Sequence, residues 1–429
     1  MYNIVVAGTG YVGLVAGVCF AEKGNNVVCV DVDQRKIDLM KSGISPIYEQ
    51  NLQEMMIKNY NEGRLNYTTN AKEAYKNADF IFIGVGTPER KDGSADLTYV
   101  YNVANEIAES VMKDCIVVVK STVPIGTNDE VEKMIRQNLK SNVKVTVVSN
   151  PEFLAQGTAV RDTINASRIV IGSNEKEASD KMLDLYSNFD VPKIVTDRRS
   201  AEMIKYASND FLALKISFIN DIANLCEIVG ANIEDVAKGM SFDKRIGDKF
   251  LKAGCGYGGS CFPKDTKALH YLATQEGYEL KTVKAAIEVN KEQKIILIKK
   301  ARKKFKTFKD LNVSVLGLTF KPGTDDLREA PSLENISILL EEGAKITAYD
   351  PIGEENFKKI YPNQLKYAKT PQEALRNADI CFIFTEWDNI KNIKPEEYKK
   401  LMKNPIVYDG RNIYNLDDMK EIEYYSVGR

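Results

Sequence analysis

The stretch Ile4-Val5-Val6-Ala7-Gly8-Thr9-Gly10-Tyr11-Val12-Gly13-Leu14 decides the fold. It opens as a short, wholly apolar run, which reads as a buried strand. It then passes through three glycines spaced G-x-G-x-x-G into a stretch of helical pattern. Alone, that glycine string is weak evidence. Its context is stronger: a second strand candidate, residues 27–30, completes a unit of about 30 residues and runs into Asp31. Glycines at these places let the backbone turn tightly and approach a pyrophosphate, whose charge a helix N-terminus stabilises. A carboxylate at Asp31 would accept hydrogen bonds from adenosine ribose hydroxyls and repel a 2′-phosphate, so NAD is expected over NADP. A glycine-rich turn without a ligand is the weaker reading.

Outward from this unit, short apolar runs keep alternating with longer helical stretches, the pattern of a parallel sheet with crossover helices. Further strands are expected at 80–83, 116–119 and 145–148. Two segments, Gly84-Val85-Gly86-Thr87-Pro88 and Ser121-Thr122-Val123-Pro124, lie just past the strand ends at 83 and 119, where ligands of doubly wound sheets bind. From about residue 200 to 304 the pattern turns helical, and the proline-free span 201–230 predicts one long buried helix. Strands return at 313–316, 345–348, 380–384 and 406–407. Asn77-Ala78-Asp79-Phe80-Ile81-Phe82 is echoed there by Asn377-Ala378-Asp379-Ile380-Cys381-Phe382. The expected fold is α/β: two Rossmann-like doubly wound domains, 1–199 and 305–429, joined by a helical domain, 200–304, with a long central helix.

Composition narrows the class. Lys plus Arg (59) and Asp plus Glu (60) nearly cancel, so no global basic field exists to attract nucleic acid. The basic stretch 299–309 reads as a solvated helix end. No apolar run approaches the roughly 18 residues of a membrane span, and strand 4–7 leaves no room for a signal peptide. Five of the seven cysteines (Cys19, Cys29, Cys115, Cys226, Cys381) sit inside apolar runs and read as reduced core thiols. A cytoplasmic protein is expected.

The one histidine, His270, lies in a helical stretch and reads as a surface or edge residue, so a histidine general base is not expected. The most unusual segment is Gly254-Cys255-Gly256-Tyr257-Gly258-Gly259-Ser260-Cys261-Phe262-Pro263-Lys264-Asp265. Its glycines allow close wrapping around a ligand, and Lys264 is a nearby cation that favours a Cys261 thiolate. Cys255 and Cys261 have no companion Cys/His set, so no metal site is expected. Lys205 and Asn209 lie one turn apart on the long helix, where a lysine and an amide on one face could hold an oxyanion. The competing reading is a solvated helix face.

Taken together, these residues resemble the UDP-glucose 6-dehydrogenases, within the wider UDP-glucose/GDP-mannose dehydrogenase family. The markers span the chain: Gly8 to Leu14, Lys120-Ser121-Thr122-Val123-Pro124, Asn150-Pro151-Glu152-Phe153-Leu154, Gly258 to Asp265, and Gly317-Leu318-Thr319-Phe320-Lys321. The resemblance implies a four-electron oxidation of a sugar C6 alcohol with two NAD⁺ in succession, through a thiohemiacetal and a thioester on Cys261. It implies that Lys205 and Asn209 stabilise oxyanions, Thr122 and Asp265 hold the hydrolytic water, and Glu152 assists hydrolysis. Cofactor contacts would come from Gly8, Gly10, Tyr11, Val12, Gly13, Asp31, Lys36, Thr87, Thr122 and Arg328. Substrate contacts would come from Glu152, Phe153, Leu154, Lys205, Arg245, Phe250, Leu251, Lys252, Gly258, Phe320, Lys321 and Arg411. A homodimer built around the long helix is also implied, with UDP-glucose as substrate and neither nucleic acid nor membrane as partner.

One position departs from the family. Relatives usually carry Glu where this chain has Gln156, so hydrolysis would rest on Glu152 and Asp265. The nearest rival keeps the chemistry and changes the substrate to GDP-mannose or a UDP-N-acetylhexosamine. A two-electron hydroxyacid dehydrogenase would need no cysteine. A catalytically inactive nucleotide-sugar-binding module would be expected to have lost Lys205, Asn209 or Cys261.

Overall fold

In the computed structural model, which describes residues 1–429, strands form wherever short apolar runs occur, and they assemble into two sheets. The chain divides into two units, Met1–Ser208 and Asn209–Arg429. The first holds β1 (Asn3–Ala7), β2 (Asn26–Val30), β3 (Leu65–Thr68), β4 (Phe80–Ile83), β5 (Cys115–Val119), β6 (Val145–Ser149), β7 (Ile169–Gly172) and β8 (Lys193–Thr196). Their order is β3-β2-β1-β4-β5-β6-β7-β8, and neighbours are parallel except at β6 and β7, which meet antiparallel at Ser149 and Gly172. Strands β4, β5 and β6 are buried throughout, because helices cover both faces and leave no solvated side. Alternate residues serve the two cores: Val6, Phe82 and Val118 on one face, Val5, Ile81 and Val117 on the other.

The second unit carries β9 (Asn312–Leu316), β10 (Lys345–Tyr349), β11 (Lys366–Tyr367), β12 (Ile380–Ile383), β13 (Ile406–Asp409) and β14 (Glu423–Tyr425). All are parallel, in the order β11-β10-β9-β12-β13-β14. The sequence echo has a structural meaning. Asp79 accepts the Asn3 amide at 2.8 Å and returns its own amide to the Asn3 carbonyl at 2.9 Å. Asp379 does the same with Asn312, at 3.0 and 2.7 Å. Each pair locks the start of a fourth strand to the start of a first.

Between the sheets in sequence lies a helical region led by the long helix Arg198–Val229. It begins three residues before the expected start at 201, because Asp197 accepts the Ser200 amide at 2.8 Å and caps the first turn. It ends where Gly230 takes a φ of +75°. Helices Ile233–Ser241, Phe262–Gln275, Lys281–Lys294 and Ile296–Ala301 follow. No helix is long and apolar enough to cross a membrane.

Candidate active site

In the first unit, three glycines stack backbone on backbone between β1 and β4, where the sheet order reverses. A Cβ on Gly13 would lie 2.0 Å from the Gly8 carbonyl oxygen, and one on Gly8 would lie 2.8 Å from that of Gly84. Gly10 is different, since a Cβ there would meet no protein atom within 4 Å. That room, and the N-terminus of helix Tyr11–Glu22, whose cap position is Gly10 and so carries no capping side chain, fit a pyrophosphate. The Asp31 carboxylate accepts the Thr9 amide at 3.0 Å, the Thr9 hydroxyl at 2.5 Å and the Asp33 amide at 3.0 Å. Burial opposes its charge, yet these bonds and the Lys36 ammonium at 3.5 Å hold the carboxyl below the usual range, so it is an anion at neutral pH. The Thr87 hydroxyl donates to the Thr122 carbonyl at 2.9 Å, and the Ser121 hydroxyl to that of Val85 at 2.6 Å. These bonds stitch together the loops that follow β4 and β5.

The loop after β6 carries Glu152, Phe153 and Leu154. Glu152 is buried, takes the Lys205 ammonium on Oε1 at 3.0 Å, and takes the Leu154 amide on Oε2 at 2.7 Å. Lys205 also faces the Phe153 ring, as does the Arg168 guanidinium. Lys120, not anticipated as a site residue, is buried and donates to the Asn150 carbonyl and side-chain oxygen at 3.4 and 3.2 Å. Burial pushes its pKa down to about 8, with Glu152 pulling it up and Lys205 pushing it further down. An ammonium able to lose its proton near neutrality belongs among the candidate acid–base groups. The available signal was a lysine closing the otherwise apolar run of β5.

In the second unit the glycine-rich segment is pressed against the region 320–329. A Cβ on Gly258 would lie 2.4 Å from the Glu329 carbonyl, and Gly259, at φ +86°, lies under the Phe320 ring. The segment delivers Cys261 to the N-terminus of helix Phe262–Gln275, with the Ser260 hydroxyl 3.7 Å from its sulfur. Amides of a helix's first turn favour negative charge, whether on sulfur or on a tetrahedral oxygen beside it. Cys261 is half-buried, while the other six cysteines are buried and unreactive in character; burial pushes Cys19, Cys29 and Cys115 up to about 12. One turn along, buried Asp265 takes the Lys264 ammonium at 2.5 Å and the Asn209 amide at 2.6 Å. Asn209 is therefore a buried partner of a carboxylate rather than part of a solvated face. His270 lies farther along the same helix as Cys261, half-buried.

The expected substrate contacts differ in character. Arg411 donates to three carbonyls, Phe384 at 2.7 Å, Phe320 at 3.1 Å and Gly256 at 3.2 Å, which ties the glycine-rich segment to the second sheet. Arg328 is bidentate to Asp326, at 2.9 and 2.6 Å, and exposed, while its carbonyl accepts the Gly259 amide at 2.7 Å. Lys321 lies over the Phe320 ring. Phe250, at φ +63°, packs edge-on against Phe262, with Leu251 buried and Lys252 exposed beside it. Arg245 stands exposed, paired with Asp243 at 2.6 Å.

Comparison with known proteins agrees along the whole length. Models of the UDP-glucose/GDP-mannose dehydrogenase family match in three segments: its NAD binding domain over residues 2–190, its central domain over 199–292 and its UDP binding domain over 314–416. The UDP-glucose 6-dehydrogenase YwqF of Bacillus subtilis is 49% identical, covering 100% of this chain and 98% of its own. A UDP-glucose dehydrogenase structure from Pyrobaculum islandicum superposes with a TM-score of 0.94 at 37% identity, covering 99% of this chain and 97% of that one. A UDP-D-ManNAc dehydrogenase structure from Pyrococcus horikoshii gives 0.88 at 26%, covering 99% of each. The glycine turn that fits a pyrophosphate lies within the NAD binding segment, and NAD is the cofactor. The chain belongs to the UDP-glucose/GDP-mannose dehydrogenase family.

Proposed function

We propose that the chain oxidises UDP-glucose to UDP-glucuronate in two successive two-electron steps. The observation that carries this reading is Cys261: the one cysteine that is not buried, at a helix N-terminus, one turn from the Asn209–Asp265–Lys264 cluster. NAD, when bound, supplies the hydride acceptor for each oxidation. In the second unit, the Cys261 sulfur adds to the C6 aldehyde, giving a thiohemiacetal that is oxidised to a thioester. Asn209 holds the developing oxyanion, and Asp265 orients the water that releases the carboxylate and frees the thiol. In the first unit, Lys205 balances the charge that forms on the C6 oxygen, and Glu152, already bound to Lys205, takes a proton from water. Thr122 helps hold that water, and buried Gln156 contributes no carboxylate. Arg245, Phe250, Leu251, Lys252, Gly258, Phe320, Lys321 and Arg411 serve the nucleotide sugar, and Arg328 the nicotinamide end of the cofactor.

The greater similarity to UDP-glucose dehydrogenases supports this substrate over GDP-mannose or a UDP-N-acetylhexosamine. The intact Lys205, Asn209 and Cys261 argue against an inactive binding module. On the long helix, Phe211, Phe218 and Leu225 recur every seven residues and are 61%, 48% and 52% exposed, a stripe that supports a homodimer across this helix. We place the enzyme in the cytoplasm.

The test is stoichiometry. UDP-glucose, GDP-mannose and UDP-N-acetyl sugars are screened for NADH production; UDP-glucose should yield two NADH per molecule, and rapid-quench mass spectrometry should catch a sugar adduct on Cys261. Cys261→Ser should lower UDP-glucuronate production by orders of magnitude with binding of both ligands retained, because a serine hydroxyl is a far weaker nucleophile than a thiol. One NADH per sugar, or near-normal acid production by Cys261→Ala, would overturn the mechanism.

A further inference from the structure

The segment 44–51 of the first unit is exposed or half-exposed at every residue except Glu49. A buried carboxylate in a surface segment calls for a partner. Both its oxygens are engaged by main chain distant in sequence: Oε2 accepts the Gly157 amide and Oε1 the Ala159 amide, each at 2.8 Å. Those amides close the loop that begins at Pro151 and carries Glu152, Phe153, Leu154 and Gln156. The loop's other clasp is local, since Asp162 of the following helix takes the Ala155 amide at 3.1 Å and the Thr158 hydroxyl at 2.7 Å. Lys205 ties the start of the loop, through Glu152, to the long helix, and Glu49 ties its far end to the segment beside the cofactor turn. The anchor continues beyond it: the carbonyl of adjacent Tyr48 accepts the hydroxyl of Tyr11 at 3.1 Å, in the glycine turn of the cofactor site. Tyr48 and Glu49 thus form a strap between the cofactor turn and the Glu152 loop.

We propose that Glu49 is a positioning residue, which fixes the 151–158 loop against the cofactor turn and so sets where Glu152 meets the reacting sugar. This rests on the reading of Glu152 given above. A loop held by two charge-assisted bonds keeps its catalytic carboxylate in register, and a displacement of about 1 Å is enough to cost on the order of 100-fold in rate. Glu49→Ala removes both acceptors. Glu49→Gln keeps one and sets an NH₂ against the other amide.

Hydrogen exchange of the peptide covering 151–160 reads the clasp without any substrate, and should accelerate at Gly157 and Ala159 at least tenfold in Glu49→Ala. Kinetics are then run with whichever nucleotide sugar the wild type oxidises, so a wrong substrate assignment leaves this test intact. Expected is a kcat lower by about 10- to 100-fold in Glu49→Ala, partial recovery in Glu49→Gln, and a KM for NAD⁺ within threefold of wild type. Unchanged exchange would overturn the clasp. Faster exchange with unchanged kcat, or losses of kcat, NAD⁺ affinity and melting temperature in proportion, would overturn the positioning role.

Discussion

The two sheets begin in the same way and end with different uses for the same residue. Gly8 and Gly317 both take a left-handed φ, +97° and +87°, and both donate their amides at 2.8 Å to the last residue of the second strand, Val30 or Tyr349. An aspartate follows in each case, folded back onto the turn. Asp350 is 2% exposed and is consumed there: it accepts the amides of Leu318, Thr319, Ile352 and Gly353, the Thr319 hydroxyl and the Trp387 indole. Asp31 is engaged by Thr9, Asp33 and Lys36 alone. The chain after the turns differs to match. In the first unit a helix starts at once at Tyr11, with Gly10 at its cap position and so no capping side chain. In the second the helix Pro331–Glu341 waits until residues 320–330 have supplied the backing for Gly258 and Gly259. One topological position is a fully engaged structural clasp in the second unit and only partly engaged in the first, and side-chain partners, not fold, tell them apart.

Removal of the consumed carboxylate should have the larger effect. Asp350→Ala leaves six donors without their acceptor in a buried place, so the second unit should lose at least about 4 kcal/mol, read by chemical denaturation. The equivalent Asp31→Ala should cost about 1 kcal/mol by the same measurement, because fewer and partly exposed donors are released. Equal losses would show that the two acids are not different in kind.

A third aspartate marks the opposite extreme. Asp210, next to Asn209, is buried and neither of its oxygens has a hydrogen-bond partner. Burial, then the charge of Asp265, push it up to about 8, with Lys264 pulling down. Tyr257 is pushed up to about 12 by its own burial, with the Asp210 charge adding a smaller push in the same direction. Because the folded pKa lies above the unfolded value of 3.8, the contribution to stability is full below pH 4, falls as pH rises from about 4 to 8, and is level beyond. The stability lost between pH 4 and pH 7 comes to about 4 kcal/mol. Asp210→Asn should recover about 2 kcal/mol of it at pH 7, since the amide is itself left unpaired. It should recover nothing at pH 4. A melting-temperature difference between variant and wild type that does not grow across this range would refute the shift.

What the sequence made legible follows the same lines of burial. Strands β1, β2, β4, β5, β6, β9, β10, β12 and β13 are apolar runs because they are covered on both faces. Strands β3, β8, β11 and β14 are the four sheet edges, and their residues, such as Leu65-Asn66-Tyr67-Thr68, alternate or mix polarity because only one flank is paired. β7 is as apolar as the central strands and was within reach, but it pairs antiparallel and breaks the strand–helix rhythm. Cys261, Lys264 and Asp265 are neighbours in sequence, so their grouping could be read directly. Glu49, Lys120 and Asp210 owe their character to burial and to partners distant along the chain. Arg411, read as a ligand contact, also donates to three carbonyls distant along the chain, which no local pattern shows.

A further expected effect, modest in size, bears on ligand choice. Asp31 is an anion at neutral pH, held so by the Thr9 hydroxyl, the Asp33 amide and Lys36, so a cofactor bearing a 2′-phosphate would bring like charges together. The wild type should therefore turn over NAD⁺ far better than NADP⁺. In Asp31→Ala the repulsion disappears, and the Lys36 ammonium, 3.5 Å from the lost carboxylate, becomes an attraction for that phosphate. The ratio of kcat/KM for NADP⁺ to that for NAD⁺ should rise about tenfold, equivalent to about 1.4 kcal/mol, through a gain on NADP⁺ and a loss of the ribose contact on NAD⁺. Raising the salt concentration should shrink the Lys36 part of that gain and leave the lost ribose bond unaffected, because only the former is a screened interaction between charges near solvent. Comparable turnover of the two cofactors by the wild type would remove Asp31 from cofactor selection and make it, like Asp350, a residue of the turn alone.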